Sequence, residues 1–196
     1  MTIDPTSMMT GLTFKSNNNV ANEIGILQSF SMKERTLNEL EFFNVSYFNT
    51  GRVATKELYT ESPFNVELDY DTLQAVGIKY MINFIGQDQY SLKTIEQRCA
   101  VYNYQSNENV GSTSIHETEN VYHLGEWINN GYNKFRVVLT KNYNPDGFKD
   151  SKLSFVVNSK LALVGEMSGL SINQITKESS IIRLTLQGHN PKKITD

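Results

Sequence analysis

Hydrophobic and polar positions alternate with a period of two along most of the chain, interrupted by turn residues. Ile24, Ile26 and Phe30 alternate with Gly25, Leu27 and Ser29. Phe64, Val66, Leu68 and Tyr70 alternate with Asn65, Glu67 and Asp69, the pattern of a strand with one wet face. Ile78, Tyr80, Ile82 and Phe84 share one side of a further strand. Phe135, Val137 and Leu139 repeat the pattern, as do Leu153, Phe155 and Val157 and, near the end, Ile182, Leu184 and Leu186. Turn signals separate these runs at Asn49-Thr50-Gly51, Gly86-Gln87-Asp88-Gln89, Asn129-Asn130-Gly131 and Asn144-Pro145-Asp146-Gly147. Helical periodicity is weak: 32–40 lacks an extended apolar stripe and predicts at most a turn or two. The expected fold is all-β, an antiparallel sandwich of about eight to ten short strands.

Residues 1–22 carry no period able to bury a face and read as a leader, a linker end or a tag remnant. Residues 23–196 then form one domain, a size that allows a single substantial core. No apolar run is long enough for a membrane-spanning helix. The net charge of −3 comes without Lys/Arg clusters and argues against nucleic acid as a partner. A single cysteine, Cys99, excludes an internal disulfide framework and fits a reducing compartment.

Motifs for chemistry are missing. The sequence has no phosphate-binding glycine loop and no nucleophile elbow, and Cys99 has no nucleophile context. His116, His123 and His189 lack metal-ligand spacing. Asp69/Asp71 and Glu117/Glu119 are most simply solvated charges. No catalytic residue, metal site or cofactor is expected, and the chain does not read as an enzyme.

The informative stretch is 99–132. It holds Tyr102, Tyr104, Tyr122, His123, Trp127 and Tyr132 among Asn103, Gln105, Asn120, Asn129 and Asn130. Sugar recognition needs this mixture, because a flat ring covers the apolar face of a pyranose while amides and charged groups bond its hydroxyls. Trp127 and Tyr132, with Tyr102 and Tyr104, are expected to form or border an aromatic platform, with His123, Asn103 and Arg98 as polar partners. Arg98 and Lys79 are candidate contacts for an acidic or phosphorylated sugar. The competing reading makes Trp127 a core plug and the tyrosines ordinary strand residues.

Asn38-Glu39-Leu40-Glu41-Phe42-Phe43-Asn44, the turn at 49–51, and Glu61-Ser62-Pro63-Phe64-Asn65-Val66-Glu67-Leu68-Asp69-Tyr70 resemble the opening of one family. Val76-Gly77-Ile78-Lys79-Tyr80-Met81-Ile82-Asn83-Phe84-Ile85-Gly86 looks like its next strand. Gly131-Tyr132 through Phe135-Arg136-Val137-Val138-Leu139, followed by Lys152-Leu153-Ser154-Phe155-Val156-Val157, is similar to its closing pair. The family is the C-terminal carbohydrate-binding domain of Wzt-type ATP-binding subunits of bacterial O-antigen polysaccharide ABC exporters. The likeness spans about 39–157.

This resemblance implies an immunoglobulin-like, jelly-roll-like sandwich that is dimeric and cytoplasmic, lying at the inner face of the membrane beside its transporter. It implies recognition of the non-reducing end of a lipid-linked O-polysaccharide before export, with the membrane subunit contacted only indirectly through an ATP-binding domain. It also implies that the C-terminal strand at 180–186, after a polar hinge at 173–179, is exchanged between the two chains of a homodimer. A phage tail-fibre or surface adhesin module is the alternative, and a polysaccharide-processing enzyme is third.

Overall fold

The computed structural model describes residues 19–145, 147, 151–176, 179–188 and 190–195. Most of the leader at 1–22, Asp146 of the predicted turn and His189 lie outside them. The chain opens with two helices, α1 (19–28) and α2 (Phe30–Asn38). Strands β1 (Val45–Thr50), β2 (Thr55–Glu57), β3 (Phe64–Leu68), β4 (Gln74–Val76), β5 (Lys79–Ile85), β6 (Gln89–Thr94) and β7 (Gln97–Asn103) follow. Next come β8 (Glu108–Ile115), β9 (Thr118–His123), β10 (Ile128–Asn129), β11 (Lys134–Leu139), β12 (Lys152–Val157), helix α3 (Lys160–Glu166), β13 (Ser171–Gln174), β14 (Ile182–Thr185) and helix α4 (Pro191–Thr195).

The antiparallel sandwich expected from the alternation is present. One sheet has six strands in the order β2-β1-β12-β5-β6-β9, facing two three-stranded sheets, β10-β11-β3 and β4-β7-β8. All strand pairings among the described residues are antiparallel. Most of the inward residues are those the alternation selects: Phe64, Val66 and Leu68; Ile78, Tyr80 and Ile82; Phe135 and Val137; Leu153, Phe155 and Val157 are all buried, while Phe84 and Leu139 are only partly so. Aromatic rings lock the layers face to face. Phe155 stacks on Tyr80 at 4.9 Å and meets Phe135 and Phe64 edge-on at 5.7 and 6.1 Å.

A buried polar knot fixes how the sheets sit on one another. The Tyr80 hydroxyl of β5 donates to Asn133 Oδ1 at 2.6 Å. Asn133 Nδ2 donates to Gln74 Oε1 and to the Ala75 carbonyl, both at 2.9 Å. Gln74 Nε2 in turn donates to the Asp69 carbonyl at 2.7 Å. The Ala75 N–H donates to the Tyr132 carbonyl at 2.9 Å, so β4 is stitched to the entry of β11.

The structure departs from the sequence expectation at four points. Residues 24–30, read as a strand, are helical, and α2 runs nine residues where a turn or two was expected. Ser29 sets this boundary, because its hydroxyl accepts the Met32 N–H at 3.2 Å as an N-cap. Alternating apolar residues there are not a sheet face: Ile26 and Phe30 stay half exposed, while Leu37 is buried with Leu163 and Val164 of α3 in a second small core. The strand near the C-terminus closes neither sandwich sheet; within the chain, β14 pairs with β13, and the expected hinge at 173–179 begins inside β13. Fourteen strands are present among the described residues, more than expected, because β2, β4 and β10 are too short to show alternation. No helix among these residues is long and apolar enough to cross a membrane.

Asn133→Ala is expected to lower the unfolding free energy by about 2–3 kcal/mol, since it strips partners from two fully buried groups, Tyr80 and Gln74. Urea denaturation checks this. A loss under about 0.5 kcal/mol would mean that the knot does not hold the sheets together.

Candidate functional site

The outer face of the β10-β11-β3 sheet carries the strongest exposed chemistry. Trp127, just before β10, is 45% exposed. The guanidinium of Arg136 lies over its ring at 5.0 Å from the centroid. Arg136 is held by Glu67 across the strand pair, with Nε at 2.6 Å and Nη2 at 2.5 Å from Oε2. Alternation explains the grouping: Phe135 and Val137 point inward, so Lys134, Arg136 and Val138 project outward beside Glu67 and Asn65 of β3. Lys134 closes a second ion pair with Asp69 at 2.6 Å. That ammonium and the Asp71 N–H hold the Asp69 carboxyl below its ordinary pKa. The result is an aromatic surface rimmed by fixed, mutually neutralised charges.

The seven residues expected at an aromatic platform are not one cluster. Trp127 is exposed, as a platform needs. His123 stands four residues away across a turn at the end of β9, with Nδ1 at 3.5 Å from Asp88 and Nε2 at 3.3 Å from Gln89. Tyr132 is half buried against the main core. Tyr102 and Tyr104 are core residues at 0% and 6% exposure, and their rings meet edge-on at 4.9 Å. A bulge between Val101 and Tyr102 is the physical reason: it breaks the period of two after buried Cys99 and turns Tyr102 inward. The Tyr104 hydroxyl donates to the Asn158 carbonyl, and burial pushes its pKa well up, so it stays a donor. Asn103 spends its side-chain oxygen on a turn, accepting from the Gln105 N–H at 2.8 Å. Arg98 bonds Ser112 across β7 and β8 at 2.9 Å. Both belong to the other three-stranded sheet.

Sequence reasoning passed over a cleft of about 620 Å³ at the open side of the sandwich. There β3 is an edge strand, and its Val66 N–H is taken by the Tyr47 hydroxyl at 2.9 Å, which itself donates to Asn65 at 2.6 Å. Burial keeps the Tyr47 phenol protonated, its pKa pushed far above the ordinary value. Two 3-10 turns, Glu41–Asn44 and Tyr59–Glu61, wall the cleft with aromatic rings. Phe43 and Tyr59 lie nearly parallel, 13° apart, with centroids at 6.0 Å, and Phe42 leans on Phe43 at 4.6 Å. Tyr59 holds a left-handed φ of 47°, a conformation that costs a bulky residue energy and that packing must enforce. Lys193 of α4 reaches the lining, 2.7 Å from Glu57 and 3.9 Å from Glu166, with its ammonium over the Phe43 ring.

The two features share one surface. Asn65 lines the cleft, and Glu67, which holds Arg136 over Trp127, is two residues along the same outer face of β3. Thr140, at the end of the β11 register, lines the cleft from the neighbouring strand. A signal for the cleft existed in Phe42-Phe43: adjacent aromatics cannot both face one core from a strand, so the pair marks a turn with a ring left outside.

No protein-family model and no curated protein sequence matches the chain.

Replacing Trp127 by Ala is expected to change stability by less than about 1 kcal/mol, the scale of one exposed cation–π contact. Tyr102→Ala should cost about 3–5 kcal/mol as a core truncation. Chemical denaturation of both variants checks the assignment, and equal losses would return Trp127 to the core.

Proposed function

We propose that this domain is a non-catalytic carbohydrate-binding module that recognises a bacterial polysaccharide. The observation that carries the reading is the half-exposed Trp127 ring, fixed by Arg136 and Glu67 on a sheet face continuous with an aromatic cleft. Rings presented to solvent beside oriented polar groups suit the two sides of a pyranose, its apolar C–H face and its hydroxyl rim. In the narrower form drawn from the family resemblance, the ligand is the non-reducing end of a lipid-linked O-antigen. The domain then works in the cytoplasm at the inner membrane face, coupled to an ABC exporter through an ATP-binding domain.

Assembly as a homodimer belongs to the same proposal. The β13–β14 hairpin forms a two-stranded sheet of its own, buries Ile172 and leaves Ile175, Ile181 and Leu184 at least half exposed. A second copy exchanging this strand would cover them without new kinds of pairing. Light scattering of the intact chain should give twice the chain mass, and truncation after Gly169 should abolish that dimer. A monomer at every accessible concentration sinks the assembly proposal.

Incubation with labelled O-polysaccharide tests the function. The intact protein should retain the polymer without shortening it, and Trp127→Ala should weaken retention at least about tenfold, which is about 1.4 kcal/mol, at an unchanged thermal midpoint. Shortened product would favour an enzyme. Undiminished retention by the variant would move the site off this face.

A further inference from the structure

We infer that the cleft beneath Phe42 and Tyr59 is a second sugar subsite and that the surface joining it to Trp127 selects an uncharged polysaccharide over an acidic one. The inference rests on the carbohydrate reading and adds to it a location and a ligand class.

The location follows from shape and position. A volume of about 620 Å³ falls within the usual range of small-ligand pockets, about 300–1,000 Å³. Phe42 presents half its surface to solvent at the rim, so a sugar ring can be covered there without unpacking the core. Asn65 and Thr140 line it on the β3–β11 side; the Thr140 hydroxyl already donates to the Ser62 carbonyl and Asn65 Oδ1 already accepts from Tyr47, so the Asn65 amide N–H groups are what this side offers a ligand. A linear polymer leaving the cleft along the outer face of β3 therefore passes Glu67 and Arg136 next.

The ligand class follows from the charges. Among the described residues, each cation that lines the cleft or the Trp127 face is already paired with a carboxylate: Lys193 with Glu57, Arg136 with Glu67 and Lys134 with Asp69. Lys141, one residue beyond Thr140, is outside the lining. Lys193 and Glu57 are mostly shielded, at 18% and 20% side-chain exposure, so an entering carboxylate, sulfate or phosphate would have to displace Glu57 from a partly desolvated pair. Along the rest of the face an anion meets carboxylates as often as cations. A sugar hydroxyl meets no such conflict. It donates to a carboxylate and accepts from an ammonium at once, leaving the ion pair intact. The acidic overall charge of −3 acts in the same direction.

A glycan array carrying neutral hexose oligomers, uronic-acid oligomers and sulfated oligomers of matched length tests both parts. The intact protein, Phe42→Ala, Thr60→Trp and Trp127→Ala would be compared, with thermal midpoints recorded for each. Thr60 is an exposed lining residue, and the larger ring would fill the cleft without deleting core. The expected result is retention of neutral oligomers only, reduced at least about tenfold by each of the three substitutions. Neutral binding lost in Trp127→Ala but unchanged in both cleft variants would overturn the subsite while leaving the carbohydrate reading standing. Stronger retention of uronic-acid or sulfated oligomers would overturn the charge selection. No retention of any oligomer by the intact protein would overturn the subsite and the carbohydrate reading together.

Discussion

Hydrophobic faces attract without direction, so two sheets packed only by phenylalanines and valines can slide over one another at little cost. In this domain Asn133 removes that freedom. Its side chain accepts from Tyr80 in the six-stranded sheet and donates to Gln74 and Ala75 of β4, while its backbone N–H is held by Asn130 at 2.8 Å. Sliding the sheets out of this arrangement breaks bonds of the buried Tyr80 hydroxyl, Asn133 amide and Gln74 carbonyl, and a buried polar group left without a partner is more costly than an imperfect apolar contact. The three sheets are therefore registered by polar groups and glued by rings.

The candidate surface inherits this rigidity. The 129–133 turn that carries Asn133 also ends β10 and begins β11, the two strands behind Trp127 and Arg136. Residue alternation then decides the rest: once Phe135 and Val137 are committed inward, Arg136 must project outward and meet Glu67. On the far side, β3 lacks a further strand, and Tyr47 satisfies its free edge with a hydroxyl instead of a ladder. A sidechain bond fills less space than a strand would. The room left over, roofed by the two aromatic 3-10 turns, is the cleft.

What was legible from residue order tracks the length of the alternating runs. Strands β3, β5, β11 and β12 carry three or more apolar residues at strict spacing of two, and each buries that face apart from Phe84 of β5 and Leu139 of β11, which are only partly covered. Residues 24–30 show the same spacing, yet 24–28 close helix α1 and Phe30 opens α2, which Ser29 caps and whose Leu37, beyond that window, packs on Leu163 and Val164. The aromatic stretch misled in a related way. Tyr102 and Trp127 are both aromatics among amides, yet the register shift at Val101/Tyr102, invisible in sequence, turns Tyr102 into the core, while Trp127 stays at the surface. The Phe42–Tyr59 cleft was hidden for a third reason: its walls come from residues far apart in the chain, gathered by the edge of β3 and by α4.

On the carbohydrate reading, the closed ion pairs shape how binding energy is distributed. A pair such as Arg136–Glu67 is oriented before the ligand arrives, so contact with a hydroxyl requires no search for a rotamer and frees no lone charge. Neither charge can then contribute the several kcal/mol that a fully desolvated salt bridge to ligand can supply at other interfaces. Each sugar ring is left with stacking and a few shared hydrogen bonds, a weak interaction on its own. Tightness has to come from engaging rings in series along the face from the cleft to Trp127, and then again on a second copy if the hairpin dimer forms. Linking weak sites raises retention steeply only for a polymer long enough to span them. On that reading, a surface built this way would be insensitive to free monosaccharides in solution and responsive to the chain itself.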